Sequence, residues 1–199
     1  MPILLGLTGN IACGKTTVGQ MLLALEAARY IDADLVVHQL YEPGQAIYAG
    51  VVAAFGPEIL TPEGAIDRRR LGNIVFNDAE ALRRLEAIVH PAVGTAIVSA
   101  IQAEPPDAVI VLDAVKLLEG GTGALCKSRW LVICDEEQQL RRLMDRDGFS
   151  EEEARARLRA QPPIAPKLPL VDEVIDNSGT LEATRAQVEA AWARFKALP

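Results

Sequence analysis

The chain has 199 residues, half of them hydrophobic and 24% charged, which is typical of one compact α/β domain and excludes a disordered protein. Its net charge of −7 argues against a general role in coating DNA or RNA, because that role needs a basic surface. The three cysteines form no C-x-x-C pair, and we expect no apolar run to reach the roughly 20 residues of a membrane span. We expect a cytoplasmic protein with reduced thiols, a monomer or weak homo-oligomer that binds neither nucleic acid nor a membrane.

Five short strand-like runs alternate with longer helical stretches along the chain. This alternation predicts a parallel sheet that is covered by helices on both faces. The third run is apolar without alternation, as expected for a strand that is buried on both sides. In chain order, the predicted strands are Ile3–Thr8, Tyr30–Asp32, Val109–Asp113, Trp130–Cys134 and Glu173–Asp176.

A phosphate-loop pattern, G-x-x-x-x-G-K-[ST], follows the first predicted strand and precedes a helical run over Thr17–Ala27. Backbone N–H groups of such a loop surround the β-phosphate of a nucleotide. Lys15 would reach the β- and γ-phosphates, and Thr16 would supply a hydroxyl to Mg²⁺. We interpret Cys13 as a small residue that fills the loop rather than as a nucleophile. The pattern predicts ATP or GTP binding by Asn10, Ile11, Ala12, Cys13, Gly14, Lys15, Thr16 and Thr17.

Acidic residues stand where the second and third predicted strands end. Asp32 and Asp34 lie two residues apart, and Asp113 closes the third strand. Because the carboxyl ends of parallel strands line the ligand crevice, these carboxylates are expected to face the chemistry. One of the pair would accept the proton of an attacking hydroxyl, and Asp113 would reach a metal through water. A cap on a helix or strand end is the structural alternative for each.

About 75 residues without a strong strand pattern separate the second and third strands, which predicts a helical insert. Within this insert, Asn77–Val89 has helical apolar spacing. The His90-Pro91 pair that follows is expected to end that helix.

An arginine-rich segment follows the fourth predicted strand. Ser150 and Glu153 have the spacing of a capping box, which predicts a new helix that stops near Gln161. Pro166 and Pro169 are expected to keep the next residues extended. Such a segment resembles the mobile lid that closes arginines over a triphosphate, whereas local pairs such as Glu151 with Arg155 or Glu153 with Arg157 are the structural alternative. The arginines are Arg141, Arg142, Arg146, Arg155, Arg157 and Arg159.

The C-terminal residues, from Thr180 to Leu198, have one apolar helical face, which is formed by Leu181, Thr184, Val188, Trp192 and Phe195. A GTPase switch is disfavoured because the chain has no Asn-Lys-x-Asp guanine-binding motif. The Asp145–Gly148 segment does match D-x-x-G, but it lies far from the phosphate loop, and we interpret it as a helix-ending turn.

The ordered set of motifs resembles the dephospho-coenzyme A kinase family over nearly the whole chain. Beyond the phosphate loop no single motif is specific, but their order separates this pattern from adenylate, guanylate and shikimate kinases. The motifs are Ile31-Asp32-Ala33-Asp34, Glu42-Pro43-Gly44, Phe55-Gly56, Gly64-x-x-Asp67-Arg68, His90-Pro91, Asp113 with Leu117 and Glu119, Arg146-x-Gly148, Arg157 with Gln161, and Asp176-Asn177-x-Gly179.

The resemblance implies an α/β, three-layer P-loop kinase fold: a five-stranded parallel sheet with a helical substrate domain and a helical lid. The implied core covers residues 1–34, 105–140 and 168–199, the substrate-binding insert about 35–104, and the lid about 141–167. The implied reaction transfers a phosphoryl group from ATP, with Mg²⁺, to the ribose 3′-hydroxyl of dephospho-CoA. Another small-molecule or nucleotide kinase, or a nucleotide-binding module without activity, is the alternative.

The resemblance also implies residue roles. Asp34 would be the general base, and Lys15, Asp32 and Arg157 would share in catalysis. Three further residues would join the phosphate loop in binding ATP: Arg142, Arg146 and Asn177. The implied substrate contacts are Asp34, Arg68, His90 and Asp113, and the implied metal contacts are Thr16 and, through water, Asp113.

Three departures from the family pattern stand out. The loop has Asn10 and Ala12 where glycine is usual, and asparagine tolerates a positive φ better than alanine does. Val115 and Lys116 replace a proline and a leucine near the substrate side, and the Gly120-Gly121 pair suggests an altered loop after them.

Overall fold

The computed structural model describes residues 1–27, 29–119 and 122–198, so the Gly120-Gly121 pair lies outside the described residues. The chain divides into two compact units. We call Met1–Ile31 with Glu104–Pro199 the sheet unit, and Asp32–Ala103 the helical unit.

Five strands form one sheet, in the order β2-β3-β1-β4-β5. The ladders that join β1 to β3, β1 to β4 and β4 to β5 are all parallel. The strands are β1 (Ile3–Thr8), β2 (Arg29–Asp32), β3 (Val109–Asp113), β4 (Ser128–Ile133) and β5 (Glu173–Asp176). The expected parallel sheet is confirmed, with β4 beginning two residues earlier than predicted.

The described residues contain eight α-helices. They are α1 (Lys15–Ala24), α2 (Ala33–Leu40), α3 (Ala46–Phe55), α4 (Arg68–Asn77), α5 (Ala79–Gln102), α6 (Glu136–Asp147), α7 (Glu151–Arg159) and α8 (Leu181–Lys196). The capping box that predicted α7 is confirmed, because the Ser150 side chain accepts from the Glu153 N–H and the Glu153 carboxylate accepts from the Ser150 N–H. Gly148, at φ 69°, ends α6 as expected of a helix-ending turn.

The core of the sheet unit packs side chains of β1 and β4 against α1 and α8. Leu5, Trp130, Val18 and Val188 have no exposed surface in this cluster. Helix α8 begins one residue later than predicted, with Thr180 as its N-cap, and its Leu181 is exposed rather than buried. The predicted apolar face is therefore one residue shorter at its N-terminal end.

The helical unit has its own core, formed by side chains of α3, α4 and α5, including Ile47, Val51 and Leu71. Helix α5 does not end at His90-Pro91, as the sequence suggested, but continues for eleven residues beyond Pro91, to Gln102. A proline inside a helix removes one backbone hydrogen bond. Here α5 packs against α2, α3 and α4, and this tertiary packing holds the helix together across that defect.

Helix α5 also corrects the expectation that no apolar run is long enough to span a membrane. The helix has 24 residues and contains a stretch with a mean hydropathy of 1.3, so it passes that test by length and composition alone. One such helix is weak support for a membrane span, and α5 is the helix against which the rest of the helical unit packs.

The proline-rich residues after α7 were predicted to be extended. They instead form a 3₁₀ helix over Ala165–Leu170, so that prediction is wrong. Pro166 occupies its first turn, where a missing N–H costs little. The turn aims Lys167 inward, and this side chain is buried.

Candidate active site

The phosphate loop connects β1 to α1 with backbone angles that few residues adopt. Gly14, at φ 98°, is the N-cap of α1, and a side chain there would collide with Asn177. Ala12 has φ 57°, so the glycine-favouring conformation falls on the alanine and not on Asn10. A left-handed conformation costs a residue other than glycine about 1 kcal/mol. The loop therefore holds strain at Ala12.

Buried hydrogen bonds hold the loop from within the sheet unit. Asn177, which follows β5, is 2% exposed and donates from Nδ2 to the Cys13 carbonyl at 2.9 Å. Its Oδ1 accepts from Thr184 Oγ1 at 3.0 Å. Arg142 on α6 donates to the carbonyls of Ala12, at 3.1 Å, and Asn177, at 3.2 Å. We call Arg142, Asn177 and Thr184 the fixed side of the loop.

The first residues of the loop are held by the segment that follows α7. Gln161 Oε1 accepts from the Ile11 N–H at 3.1 Å, and Asn10 Nδ2 donates to the Pro162 carbonyl at 3.0 Å. Lys167 Nζ donates to Asn10 Oδ1 at 3.4 Å. Sequence reasoning assigned no role to Lys167, and nothing local in the sequence places it beside a residue 157 positions earlier.

A cleft of about 430 Å³ opens beside the loop in the sheet unit. Eight residues predicted to bind ATP line it: Ala12, Gly14, Lys15, Thr16, Thr17, Arg142, Arg146 and Asn177. Asn10, Ile11 and Cys13 do not. Asp145 and Leu181 also line the cleft and were not predicted, although both are neighbours in sequence of expected site segments. Lys15 Nζ donates to the Gly9 carbonyl at 3.3 Å.

Asp113 ends β3 beside the strand that leads into the loop. It is 5% exposed and pairs with Leu7 of β1. Tyr30 donates from its hydroxyl to Asp113 Oδ2 at 2.5 Å, a partner that sequence reasoning missed. Gly19 of α1 makes room for this contact, because a side chain at that position would collide with the Tyr30 ring. The carboxylate is thus held in one orientation.

The Val115-Lys116 departure lies in the segment just after Asp113. The Val115 carbonyl accepts from the buried Thr8 hydroxyl at 3.2 Å, and Lys116 is exposed. Leu117 is fully buried. The chain therefore keeps an apolar anchor here and presents the additional lysine to solvent.

The thiols near the loop are not activated. Burial raises the pKa of Cys13, which is 1% exposed, and outweighs the opposing effect of Lys15. Burial also raises the pKa of Cys134. A nucleophile needs a lowered pKa, so the interpretation of Cys13 as a loop-filling residue agrees with its surroundings.

Three other arginines of α6 and α7 are exposed and interact with nearby side chains. Arg146 donates to Asp147, and Arg155 pairs with Glu151 at 2.8 Å. The Arg157 guanidinium lies over the Phe149 ring, 3.8 Å from its centroid. Of the local pairs suggested as the structural alternative, Glu151 with Arg155 is thus formed, whereas the Glu153 carboxylate accepts from Ser150 in the cap of α7. We call Arg146, Arg155 and Arg157 the exposed side.

The other predicted catalytic residues belong to the helical unit. Asp32 is the N-cap of α2 and accepts from the Leu35 N–H at 3.0 Å. Asp34 lies exposed in the first turn of α2. Since Asp32 is committed to the cap, Asp34 is the better placed of the two to accept a proton.

Arg68 and His90 lie on different helices of this unit. Arg68 donates to the His38 carbonyl at 3.4 Å and stacks on Tyr41, 5.3 Å from the ring centroid. It lines a mainly apolar cleft of about 220 Å³ with Val37, Tyr41, Leu71, Gly72, Val75 and Leu85. His90 is exposed on α5 and does not line this cleft.

Comparison with known proteins gives one consistent result. A family model described as dephospho-CoA kinase matches residues 3–183. A dephospho-CoA kinase from Symbiobacterium thermophilum is 46% identical over 191 residues, which cover 95% of this chain and 80% of that protein. Another dephospho-CoA kinase, from Geobacillus kaustophilus, is 45% identical over 200 residues, which cover 100% of this chain and 99% of that protein.

A solved structure has a similar fold. A crystal structure from Thermus thermophilus matches with a TM-score of 0.82 and 34% identity, over 97% of each chain. The family model matches most of the chain, and the phosphate loop and its cleft are formed. The chain therefore belongs to the dephospho-CoA kinase family.

Proposed function

We propose that this protein transfers the γ-phosphoryl group of ATP to the ribose 3′-hydroxyl of dephospho-CoA, giving coenzyme A and ADP. The observation that carries the proposal is a formed phosphate loop within a chain that matches dephospho-CoA kinases along its full length. We also propose a cytoplasmic location, and a monomer or weak homo-oligomer that binds no nucleic acid.

ATP would occupy the cleft of the sheet unit. The loop N–H groups and the N-terminus of α1 would hold the β-phosphate, and Lys15 would reach the β- and γ-phosphates. Arg146 and Asn177 line the same cleft and would bind the nucleotide from its other wall. Arg142 would act through the loop backbone, since its guanidinium donates to loop and wall carbonyls.

The residues present fit Mg²⁺ bound together with ATP. No group of three or more His, Cys, Asp or Glu side chains in the described part of the chain could hold a metal alone. Mg²⁺ typically binds to few protein oxygens and to substrate phosphates, and Thr16 and Asp113 offer a hydroxyl and a carboxylate. When bound, Mg²⁺ neutralises charge on the β- and γ-phosphates.

Asp34 would accept the proton of the attacking 3′-hydroxyl. Phosphoryl transfer needs positioning and charge neutralisation more than a strong base, so an exposed carboxylate suffices. Asp32 would hold α2 through its cap, and Arg68 and His90 would contact the substrate. Residues 141–167 would act as a lid in which the part between Arg142 and Gln161, both of which are bonded to the loop, moves and brings Arg157 to the phosphates on closure.

An acceptor panel tests the activity. Purified protein with ATP and Mg²⁺ would be offered dephospho-CoA, AMP, adenosine and shikimate, with ADP and each phosphorylated product measured. We expect coenzyme A to form with one ADP per turnover. Faster turnover of AMP or shikimate would favour another small-molecule kinase, and ATP binding without turnover would favour a nucleotide-binding module.

Asp34→Asn tests the base. We expect kcat to fall by roughly 10²–10⁴-fold with little change in ATP affinity. Asp32→Ala is the comparison variant: it removes the side-chain oxygen that caps α2 and should lower thermal stability. If Asp34→Asn turned over at the wild-type rate, the base would have to be a different residue.

A further inference from the structure

One lysine of the sheet unit is buried without a carboxylate partner. Lys167 is 5% exposed, although lysine is almost never fully buried unless its charge is paired. Among the ion pairs of the described residues, none involves Lys167. Its hydrogen bond is to Asn10 Oδ1, a neutral acceptor at 3.4 Å.

This arrangement is unfavourable for packing alone. Removing an ammonium from water costs several kcal/mol, and a long bond to one neutral oxygen recovers a small part of that. An uncharged side chain of similar length would fill the same space without the penalty. The charge is therefore best explained by a use that packing does not provide.

The position of this charge suggests the use. Lys15 Nζ donates to the Gly9 carbonyl, and Lys167 Nζ donates to the side chain of the next residue, Asn10. Both ammonium groups are thus bonded to the first two residues of the phosphate loop. The loop lysine serves the β- and γ-phosphates, so a second cation that is bonded to the next residue of the same loop needs only a side-chain movement into the cleft to serve the same end of the nucleotide.

The tether of Lys167 is also fixed. Gln161 and Pro162, which precede it, bond to Ile11 and Asn10, and the 3₁₀ helix over Ala165–Leu170 holds the lysine itself. The backbone around Lys167 is thus attached to the loop whose ligand it would meet. A rearrangement of the side chain alone would let the ammonium exchange one acceptor for another.

We propose that Lys167 is a second lysine for the γ-phosphate of ATP. Its ammonium exchanges Asn10 Oδ1 for a γ-phosphate oxygen when the triphosphate binds. During transfer, the acceptor oxygen bonds to the γ-phosphorus as the bond to the ADP oxygen breaks and the hydroxyl proton passes to Asp34. Lys167 stabilises the charge on the moving phosphoryl group. The inference rests on the proposed function because it takes ATP as the nucleotide. It does not depend on which acceptor receives the phosphoryl group.

A purely structural tie between Lys167 and Asn10 predicts something different. Such a tie would support the loop for any nucleotide, so its loss would weaken ADP and ATP binding equally. A γ-phosphate contact instead predicts a selective loss for the triphosphate. Comparing the two nucleotides therefore separates the roles without measuring turnover.

The experiment is calorimetric titration of the full chain with ADP and with the β,γ-imido analogue of ATP, both with Mg²⁺. For Lys167→Met we expect analogue binding to weaken by roughly tenfold or more, and ADP binding to stay within about twofold. Lys127→Met, at an exposed lysine that donates to the Leu198 carbonyl, is the matched control.

The proposal would be overturned if Lys167→Met bound both nucleotides equally more weakly than wild type, or if neither affinity changed. If Lys167→Met does not fold, Lys167→Arg and Lys167→Gln replace it, and only the arginine variant should keep the preference for the analogue. If the wild type binds both nucleotides but does not phosphorylate dephospho-CoA, the proposed function fails while the role of Lys167 is still decided by the titrations.

Discussion

Arginines of the sheet unit are held in two opposite ways. On the fixed side, Arg142 is half-buried and donates to two backbone carbonyls, and the buried Asn177 lies next to it. On the exposed side, Arg157 stacks on Phe149 and Arg146 pairs with its neighbour Asp147. Surface pairs of this kind contribute about 0–1 kcal/mol, so they can be exchanged for a ligand at little cost. The site thus combines a prebuilt loop with charges that are free to be redirected.

The largest effect should come from the loop lysine that faces the cleft. Lys15→Ala removes the β/γ-phosphate contact, and we expect kcat to fall by roughly 10³-fold with unchanged thermal stability. Steady-state kinetics and thermal unfolding measure both quantities. Turnover within tenfold of wild type would show that the fixed loop does not carry the phosphate chemistry.

Arg157 tests the exposed side. Because the residue is exposed, Arg157→Ala should leave the melting temperature unchanged but lower kcat by about 10²-fold, since its charge is needed on closure. Arg159→Ala, on the same helix, is the control, and limited proteolysis of residues 141–167 with and without an ATP analogue follows the lid. A larger kcat loss in Arg159→Ala, or cleavage that ignores nucleotide, would contradict the lid proposal.

Asn177 tests the fixed side. Asn177→Ala removes the amide that donates to the Cys13 carbonyl and leaves the Thr184 hydroxyl with the Thr180 carbonyl as its acceptor, and we expect a loss of about 2 kcal/mol in the free energy of unfolding. Chemical denaturation measures it, with the exposed Asn73→Ala as control. A loss no larger than in that control would mean that the buried bonds do not set the loop.

Ala12 offers a smaller, opposite effect. Ala12→Gly relieves the left-handed backbone and should stabilise the fold by about 1 kcal/mol. Ala156→Gly, in the exposed middle of α7, should destabilise it by about 1 kcal/mol. If both changes lowered stability, the strain at Ala12 would not be real.

The smallest effect concerns the thiol of the fixed side. The folded pKa of Cys13 is raised above its ordinary value of 9.0, so above pH 9 the unfolded thiol loses its proton before the folded one does. The stabilisation is present below that pH and is lost as pH rises. The free energy of unfolding, measured by chemical denaturation at several pH values from 8 to 10, should therefore fall less steeply with pH for Cys13→Ala than for wild type. Identical slopes would contradict burial as the cause.

Local signals in the sequence were sufficient for part of this picture. Apolar runs predicted the strands, and the glycine-lysine loop with its flanks predicted the nucleotide side. The continuation of α5 past Pro91 was missed because packing against three helices outweighs a local helix-breaking signal. The 3₁₀ helix over Ala165–Leu170 was missed because proline is compatible both with an extended chain and with the first turn of a helix.

Contacts between distant residues could not be predicted. Asn177 meets Cys13 across 164 positions and Lys167 meets Asn10 across 157, so no periodicity or spacing records them. The resemblance pointed to Asn177 by motif, but only the fold shows what its amide does. Ala12 was a similar case: the unusual residue was visible, while its φ angle depended on the loop around it.

The contact of Tyr30 with Asp113 gives the molecule a built-in spectroscopic label. The chain has three tyrosines, of which Tyr30 lies in the sheet unit and Tyr41 and Tyr48 lie in the helical unit. Fluorotyrosine incorporated in place of tyrosine would give three fluorine resonances in one NMR spectrum. One would report on the carboxylate at the end of β3 and two on the helical unit, so events in each unit can be timed separately in the same sample.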